Sequence, residues 1–219
     1  MLIGILALQG DYEAHARALA ALGLTAEREP DRLSPSAPLV AAPEFTGRWR
    51  FVRSAADLAG LDGLVLPGGE STTMLKFLGD PAFWREMTEL LRHRAVLATC
   101  AGVILLARDV GNPPQRSLGA LDIAVERNAY GRQIDSSIRQ GCWAPAAPNA
   151  GQPLEMVFIR APKITGMGPS VEVLATESDL PVLVRQGRIL AATFHPELSS
   201  DLGLHRMFLR ASAVGAGNG

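Results

Sequence analysis

Apolar residues come in short unbroken runs along the first half of this chain. Leu2 to Leu8 is the first, and it ends at Gln9-Gly10. From Tyr12 to Leu22 the apolar positions fall at helical spacing, and Gly23 is a natural stop. Gly63-Leu64-Val65-Leu66 is a second buried strand, closed by Pro67-Gly68-Gly69. Thr72–Leu78 and Pro81–His93 read as helices. Ala95–Thr99 is a third apolar strand, followed by Cys100-Ala101-Gly102 and a helical Val103–Ala107. Strands alternating with helices predict a mostly parallel sheet with crossover connections.

The second half changes character. Leu118–Glu126, Glu155–Arg160, Val171–Thr176, Pro181–Arg185 and Ile189–Phe194 read as strands at short intervals, some of them antiparallel. A last helix spans about Asp201–Ala213, and Gly215–Gly219 reads as a frayed, disordered tail. The whole is a single three-layer α/β domain over residues 1–214: a central sheet, flanking helices, and antiparallel strands in the C-terminal half. Glu29–Arg50 stands apart. It carries Pro30, Pro35, Pro38 and Pro43 with little periodicity, and reads as a long surface loop, a solvated excursion rather than a lid.

Composition narrows the function. Of the 219 residues 47% are hydrophobic, enough for a sizeable core, and the net charge is −1. Nothing in that balance calls for nucleic acid or an anionic membrane surface. The apolar N-terminus reaches Asp11 and Glu13 too soon for a signal peptide or a membrane span. Two cysteines make no disulfide framework and fit a reducing cytoplasm, where a thiol is free to react.

Three segments that follow apolar strands carry candidate chemistry. Cys100 lies on a turn between strand and helix, where helix N–H groups and the dipole favour a thiolate, and where the Ala101 N–H would face the oxygen of an attacked carbonyl. Thr193-Phe194-His195-Pro196-Glu197 supplies a base, His195, with Glu197 to orient its ring and Pro196 to stiffen the turn. Pro67-Gly68-Gly69-Glu70-Ser71 lets backbone approach a ligand closely, and its N–H groups would complete an oxyanion hole. A cysteine at a strand end is more often packing, and a lone histidine is more often core. The three segments share one rim at the carboxyl ends of parallel strands, and together they point to catalysis. His15, His93 and His205 lie on helices and read as surface or core residues, and Cys142 as a bystander. No metal-ligand spacing is visible.

Pro67–Thr73, Thr99–Gly102 and Phe194–Glu197 resemble the class I, triad-type glutamine amidotransferases. Gly4–Gly10, Val125–Gln133 and Phe158–Pro162 make the chain more similar to the glutaminase subunits of pyridoxal 5'-phosphate synthase. The resemblance runs from Leu2 to about Leu209. It implies that Cys100 attacks the side-chain carboxamide of L-glutamine, that His195 and Glu197 handle the protons, and that water then hydrolyses a glutamyl thioester. It assigns Gly69, Glu70, Ser71, Arg127, Ile159 and Arg160 to glutamine binding, and Gly69 and Ala101 to the oxyanion hole. A zwitterionic substrate asks for a guanidinium at its α-carboxylate and acceptors at its α-amine. It further implies no cofactor on this chain, and a (β/α)8-barrel synthase partner that takes the ammonia and stimulates the glutaminase. Gln9 and Gly10 fall near the site and that contact, so they are expected to couple the two.

Two positions depart from the family pattern. Glu27–Arg48 looks inserted, with Arg53 and Ala56–Gly60 resuming it. Ala98 stands where glycine is usual, two residues before the nucleophile, and is expected to be tolerated. Other readings remain: an amidotransferase serving another synthase, such as imidazole glycerol phosphate synthase; a cysteine hydrolase or peptidase with a substrate groove; and a binding subunit with a decayed site.

Overall fold

The computed structural model describes residues 1–27, 43–127, 136–145 and 147–216. Its helices are α1 (Tyr12–Ala21), α2 (Ser71–Phe77), α3 (Pro81–His93), α4 (Ala101–Leu106) and α5 (Gly203–Ala216). The strands of the first half are β1 (Leu2–Leu6), β2 (Thr25–Ala26), β3 (Arg48–Val52), β4 (Gly63–Leu66), β5 (Ala95–Thr99) and β6 (Ala107–Gly111). Those of the second half are β7 (Leu121–Glu126), β8 (Ser136–Cys142), β9 (Pro153–Ile159), β10 (Lys163–Met167), β11 (Glu172–Glu177), β12 (Leu180–Gln186) and β13 (Ile189–Ala192).

The unbroken apolar runs are the middle strands of an eight-stranded sheet, ordered β11-β12-β13-β5-β4-β1-β3-β2. From β13 to β2 every pairing is parallel, and β11 and β12 add an antiparallel edge. Alternate residues of each middle strand serve opposite layers, which is why these strands show no polar face. Leu64, Leu66, Val96 and Ala98 pack with Met74, Phe83, Met87 and Ile104 of α2, α3 and α4. Ile3, Ile5, Val65 and Leu97 pack with Leu19 of α1 and Phe208 of α5. The three-layer α/β architecture is therefore the one expected, with β4, β5 and β13 releasing the chain along one rim.

Helix starts follow local chemistry. Asp80 caps α3 by accepting from the Phe83 N–H at 2.9 Å, with Pro81 in the first turn, where its missing N–H costs nothing. Small sheets complete the C-terminal half: β7 between parallel β6 and antiparallel β10, and an antiparallel β8–β9 pair.

Several expectations need correction. The segment read as a loop through Arg50 already contains the start of β3, whose Trp49 is buried opposite Ile3. Its pattern is hidden because Arg48 and Arg50 alternate with the aromatics and pair with Glu27. β6, β8 and β10 are also absent from the sequence reading; β8 is partly exposed along its length and carries no apolar run. Of the strands expected to be partly antiparallel, Ile189–Ala192 is the junction: it pairs parallel with β5 and antiparallel with β12. α5 runs to Ala216, two residues into the expected tail. Most of the expected insertion (28–42), the 128–133 part of the Val125–Gln133 string and the end of the tail (217–219) lie outside the described residues. No described helix is long and apolar enough to cross a membrane.

Candidate active site

At the end of β5 the chain turns sharply. Cys100 has φ 46° and ψ −104°, a conformation that costs a non-glycine residue of order 1–3 kcal/mol. Two backbone hydrogen bonds hold it there: the Cys100 N–H donates to Ala192 O (2.9 Å), and Cys100 O accepts from the Val103 N–H (3.1 Å). Gly102 allows the closeness of the turn, since a Cβ on it would stand 2.2 Å from Leu66 O. Ala98 is fully buried in β5, between Leu66 and Ala191 in the ladder. The sequence predicts an exposed nucleophile. Instead Cys100 is 6% exposed and lines a cavity, its thiol 3.9 Å from Ile159 O. Ala101 is the first helical residue, so its N–H has no acceptor within the helix.

His195 follows β13 on the neighbouring strand end. Its N–H donates to Val157 O at 2.8 Å, and its ring Nδ1 lies 2.7 Å from Glu197 Oε1. Pro196 opens a short 3-10 turn, Pro196–Leu198, that brings Glu197 back under the ring. Burial works against charge on His195, but hydrogen bonding and coulombic attraction to Cys100 and Glu197 outweigh it and raise its pKa to about 10. Burial likewise works against the Glu197 carboxylate, and the imidazoles of His15 and His195 hold its pKa below the ordinary value. Both directions describe an imidazolium–carboxylate pair.

The glycine turn faces this pair. Gly68 packs its bare Cα against the His195 ring. Gly69 has φ 136° and abuts Gln9, whose Oε1 accepts a hydrogen bond from the Glu70 N–H. Gly10, at φ 90°, lies against Gly68 O so closely that a Cβ would overlap it. The first loop is thus packed on the turn that is expected to bind an oxyanion.

A cavity of about 380 Å³ gathers these elements. Its lining includes Cys100, His195, Gly69, Glu70, Ser71, Arg127, Ile159 and Arg160, and also Gln9 and Gly10. Ala101 and Glu197 lie behind the lining. Asp11 and Ile104 line it too, and no sequence signal marks them. Arg127 Nε is buried with no hydrogen-bond partner among the described residues, an unsatisfied donor. Opposite charge is available at Glu70, whose carboxyl is held low first by the Thr73 hydroxyl, with Arg127 adding a coulombic contribution. The Ser71 hydroxyl is already given to Gln115 Oε1 (2.9 Å). Arg160 carries a positive φ of 46°, a second strained residue at the rim. A larger open groove, about 590 Å³ between Ala55–Leu61 and α3, holds no nucleophile.

Among the described residues one grouping has metal-like spacing: Asp11, His195 and Glu197 offer ligand atoms within 4.8 Å of one another. His195 Nδ1 already faces Glu197, so the grouping is the histidine–carboxylate pair with a neighbouring carboxylate. Sequence reasoning misses Gly68 as the floor beneath His195, and it misses His15, His205 and Thr99 beneath Glu197. A histidine within a helix carries no spacing signal that marks it as a partner of a distant carboxylate.

Strand-end cysteine, adjacent histidine–carboxylate pair and packed glycine turn form the arrangement that an α/β enzyme with a cysteine nucleophile would need. Residues 5–214 match the SNO glutamine amidotransferase family, and the chain belongs to that family. The pyridoxal 5'-phosphate synthase subunit PdxT of Koribacter versatilis (strain Ellin345) is 47% identical over 211 residues, covering 96% of this chain and 95% of the relative. PdxT of Thermotoga maritima is 45% identical over 210 residues, covering 95% and 98%. A crystal structure of glutamine amidotransferase superposes with a TM-score of 0.75 at 38% identity, covering 96% of this chain and 98% of that one. The crystal structure of a putative GMP synthase component from Thermoplasma acidophilum, at 15% identity and TM-score 0.64, shares the fold, covering 99% of this chain and 96% of that one.

Proposed function

We propose that this chain hydrolyses L-glutamine to L-glutamate and ammonia, and supplies the ammonia to a synthase subunit for pyridoxal 5'-phosphate formation. The observation that carries the reading is that Cys100, His195, the Gly69 turn and Arg127, whose Nε has no hydrogen-bond partner among the described residues, line one cavity. Arg127 binds the α-carboxylate and Glu70 the α-ammonium, with Ser71, Ile159 and Arg160 completing the pocket. This presents the side-chain carboxamide to Cys100.

The Cys100 sulfur attacks the carboxamide carbon, forming a C–S bond and moving the carbonyl electron pair onto oxygen. The N–H groups of Gly69 and Ala101 receive that oxyanion. His195, protonated at neutral pH and held by Glu197, gives its proton to the departing nitrogen, and the C–N bond breaks to release ammonia. Neutral His195 then takes a proton from water, which attacks the thioester. The C–S bond then breaks with its electron pair returning to the Cys100 sulfur, the proton taken from water stays on His195, and the new carboxyl group loses its own proton to solvent as glutamate leaves.

The names of the relatives support the destination of the ammonia, and the resemblance implies a (β/α)8 barrel as the acceptor. Both described cysteines are free, which suits a reducing cytoplasm. Ammonia and glutamate release from glutamine, with and without a barrel-type pyridoxal 5'-phosphate synthase subunit, tests the reading. Release that rises on adding that subunit is expected. No stimulation overturns the partner, and ammonia release by Cys100→Ser overturns the mechanism.

A further inference from the structure

Beneath the pair of His195 and Glu197 lies a second buried layer of histidines that the reaction above does not use. Glu197 Oε1 is taken by His195, while Oε2 is buried and has no well-aligned hydrogen bond among the described residues. The group facing it is Nε2 of His15, 3.4 Å away, on α1. The same Nε2 lies 3.2 Å from Thr99 Oγ1, on the residue before the nucleophile. On its other side, His15 Nδ1 lies 3.0 Å from His205 Nε2 on α5. His15 and His205 are both fully buried. Three elements far apart in sequence thus meet under one carboxylate.

The partners fix the direction of these hydrogen bonds. A carboxylate oxygen beside a bare ring lone pair would repel it, so His15 Nε2 carries the hydrogen and points it at Glu197 Oε2 and Thr99 Oγ1. His15 Nδ1 is then an acceptor, and His205 Nε2–H donates to it. His205 Nδ1 is left as a bare lone pair, and it is the His205 atom found buried without a partner among the described residues. The opposite tautomers would instead bury an orphaned N–H, the rarer arrangement. Burial keeps both rings neutral: it lowers the pKa of His15, and that of His205 to about 3. The charged or titratable groups acting on His15 are Glu197, His195 and Asp11, with His205 behind it.

We propose that His15 is a positioning residue for catalysis: its Nε2–H holds Glu197 so that the other carboxylate oxygen stays on His195, and His205 sets the His15 tautomer that makes this possible. The chain of contact is His205, His15, Glu197, His195, Cys100. Without the His15 donor, Glu197 Oε2 is buried with no donor facing it among the described residues, the carboxylate protonates or swings away, and the His195 imidazolium loses its counter-charge.

The proposal rests on the triad reading above, and its test is read on the His195 ring itself. NMR titration of His195 is compared in the wild-type chain, His15→Leu and His15→Gln, alongside kcat and KM for glutamine in the presence of the synthase subunit. In His15→Leu the His195 titration midpoint is expected to fall, and kcat to drop about tenfold or more with little change in KM. In His15→Gln, whose amide N–H can occupy the place of Nε2–H, both are expected to recover substantially. A folded His15→Leu with an unchanged midpoint overturns the proposal, and so does equal loss in His15→Leu and His15→Gln. Should His15→Leu not fold, His205→Leu is read on the same two measurements, and an unchanged midpoint there overturns it. Glutamine hydrolysis surviving in His195→Ala would sink the triad reading instead, while leaving the His15-dependent titration to be judged on its own.

Discussion

Gly68 and His195 lie so close that no side chain fits between them: a Cβ at position 68 would stand 2.3 Å from His195 Cε1 and 3.3 Å from Cys100 Cβ. The ring cannot yield easily, because its Nδ1 is held 2.7 Å from buried Glu197. Gly68→Ala is therefore expected to leave the fold intact and to displace His195 from Cys100. Misplacement on the scale of 1 Å costs roughly a hundredfold in rate. Steady-state glutaminase assays with a thermal melt check this. A near-wild-type kcat in Gly68→Ala would show that the ring has room to move.

Arg127 is expected to act on binding more than on turnover. Its Nε is buried without a partner among the described residues, which leaves the fork available to a carboxylate. Arg127→Lys keeps the charge and loses the planar fork, so KM for glutamine should rise about tenfold or more while kcat changes much less. A fall in kcat at unchanged KM would remove Arg127 from the α-carboxylate site.

How much of this is legible in the sequence differs by layer. β4, β5, α1 and α3 are readable because their apolar residues follow one period without interruption. β3 and β8 are not, because Arg48 and Arg50 take alternate positions of β3, and the adjacent Arg139 and Gln140 put polar side chains on both faces of the partly exposed β8. The cavity residues that the motifs mark come together because the strand-end turns that carry several of them open on one rim. The layer beneath is invisible in the sequence. His15, Thr99, Glu197 and His205 meet only through packing of α1 and α5 on one face of the sheet, and no local spacing encodes such a meeting.

Gln9 joins the first loop to the glycine turn, its Oε1 accepting from the Glu70 N–H. That bond holds the Gly69–Glu70 peptide, next to the Gly69 N–H proposed for the oxyanion hole. Gln9→Ala is expected to fold normally and to lose about tenfold of the synthase-stimulated glutaminase rate, at the upper end of what one hydrogen bond contributes. Stimulation by the synthase is the measurement, and full stimulation in Gln9→Ala would sever the loop from the site.

His205 makes the fold sensitive to acid. Its pKa is lowered by burial from 6.5 to about 3, so it stays neutral in the folded chain while the unfolded chain takes up a proton below pH 6.5. The unfolded state then binds more protons, and stability falls as pH drops through the window from about 6.5 to about 3. Between pH 7 and pH 5 this one group removes about 2 kcal/mol. His15 shifts in the same direction and adds to the loss. His205→Gln keeps a donor for His15 Nδ1 and cannot titrate, so its stability should depend less steeply on pH over that interval. Urea unfolding at pH 7 and pH 5 measures the difference. Equal pH dependence in the two chains would mean that His205 already shares its proton with solvent in the folded state.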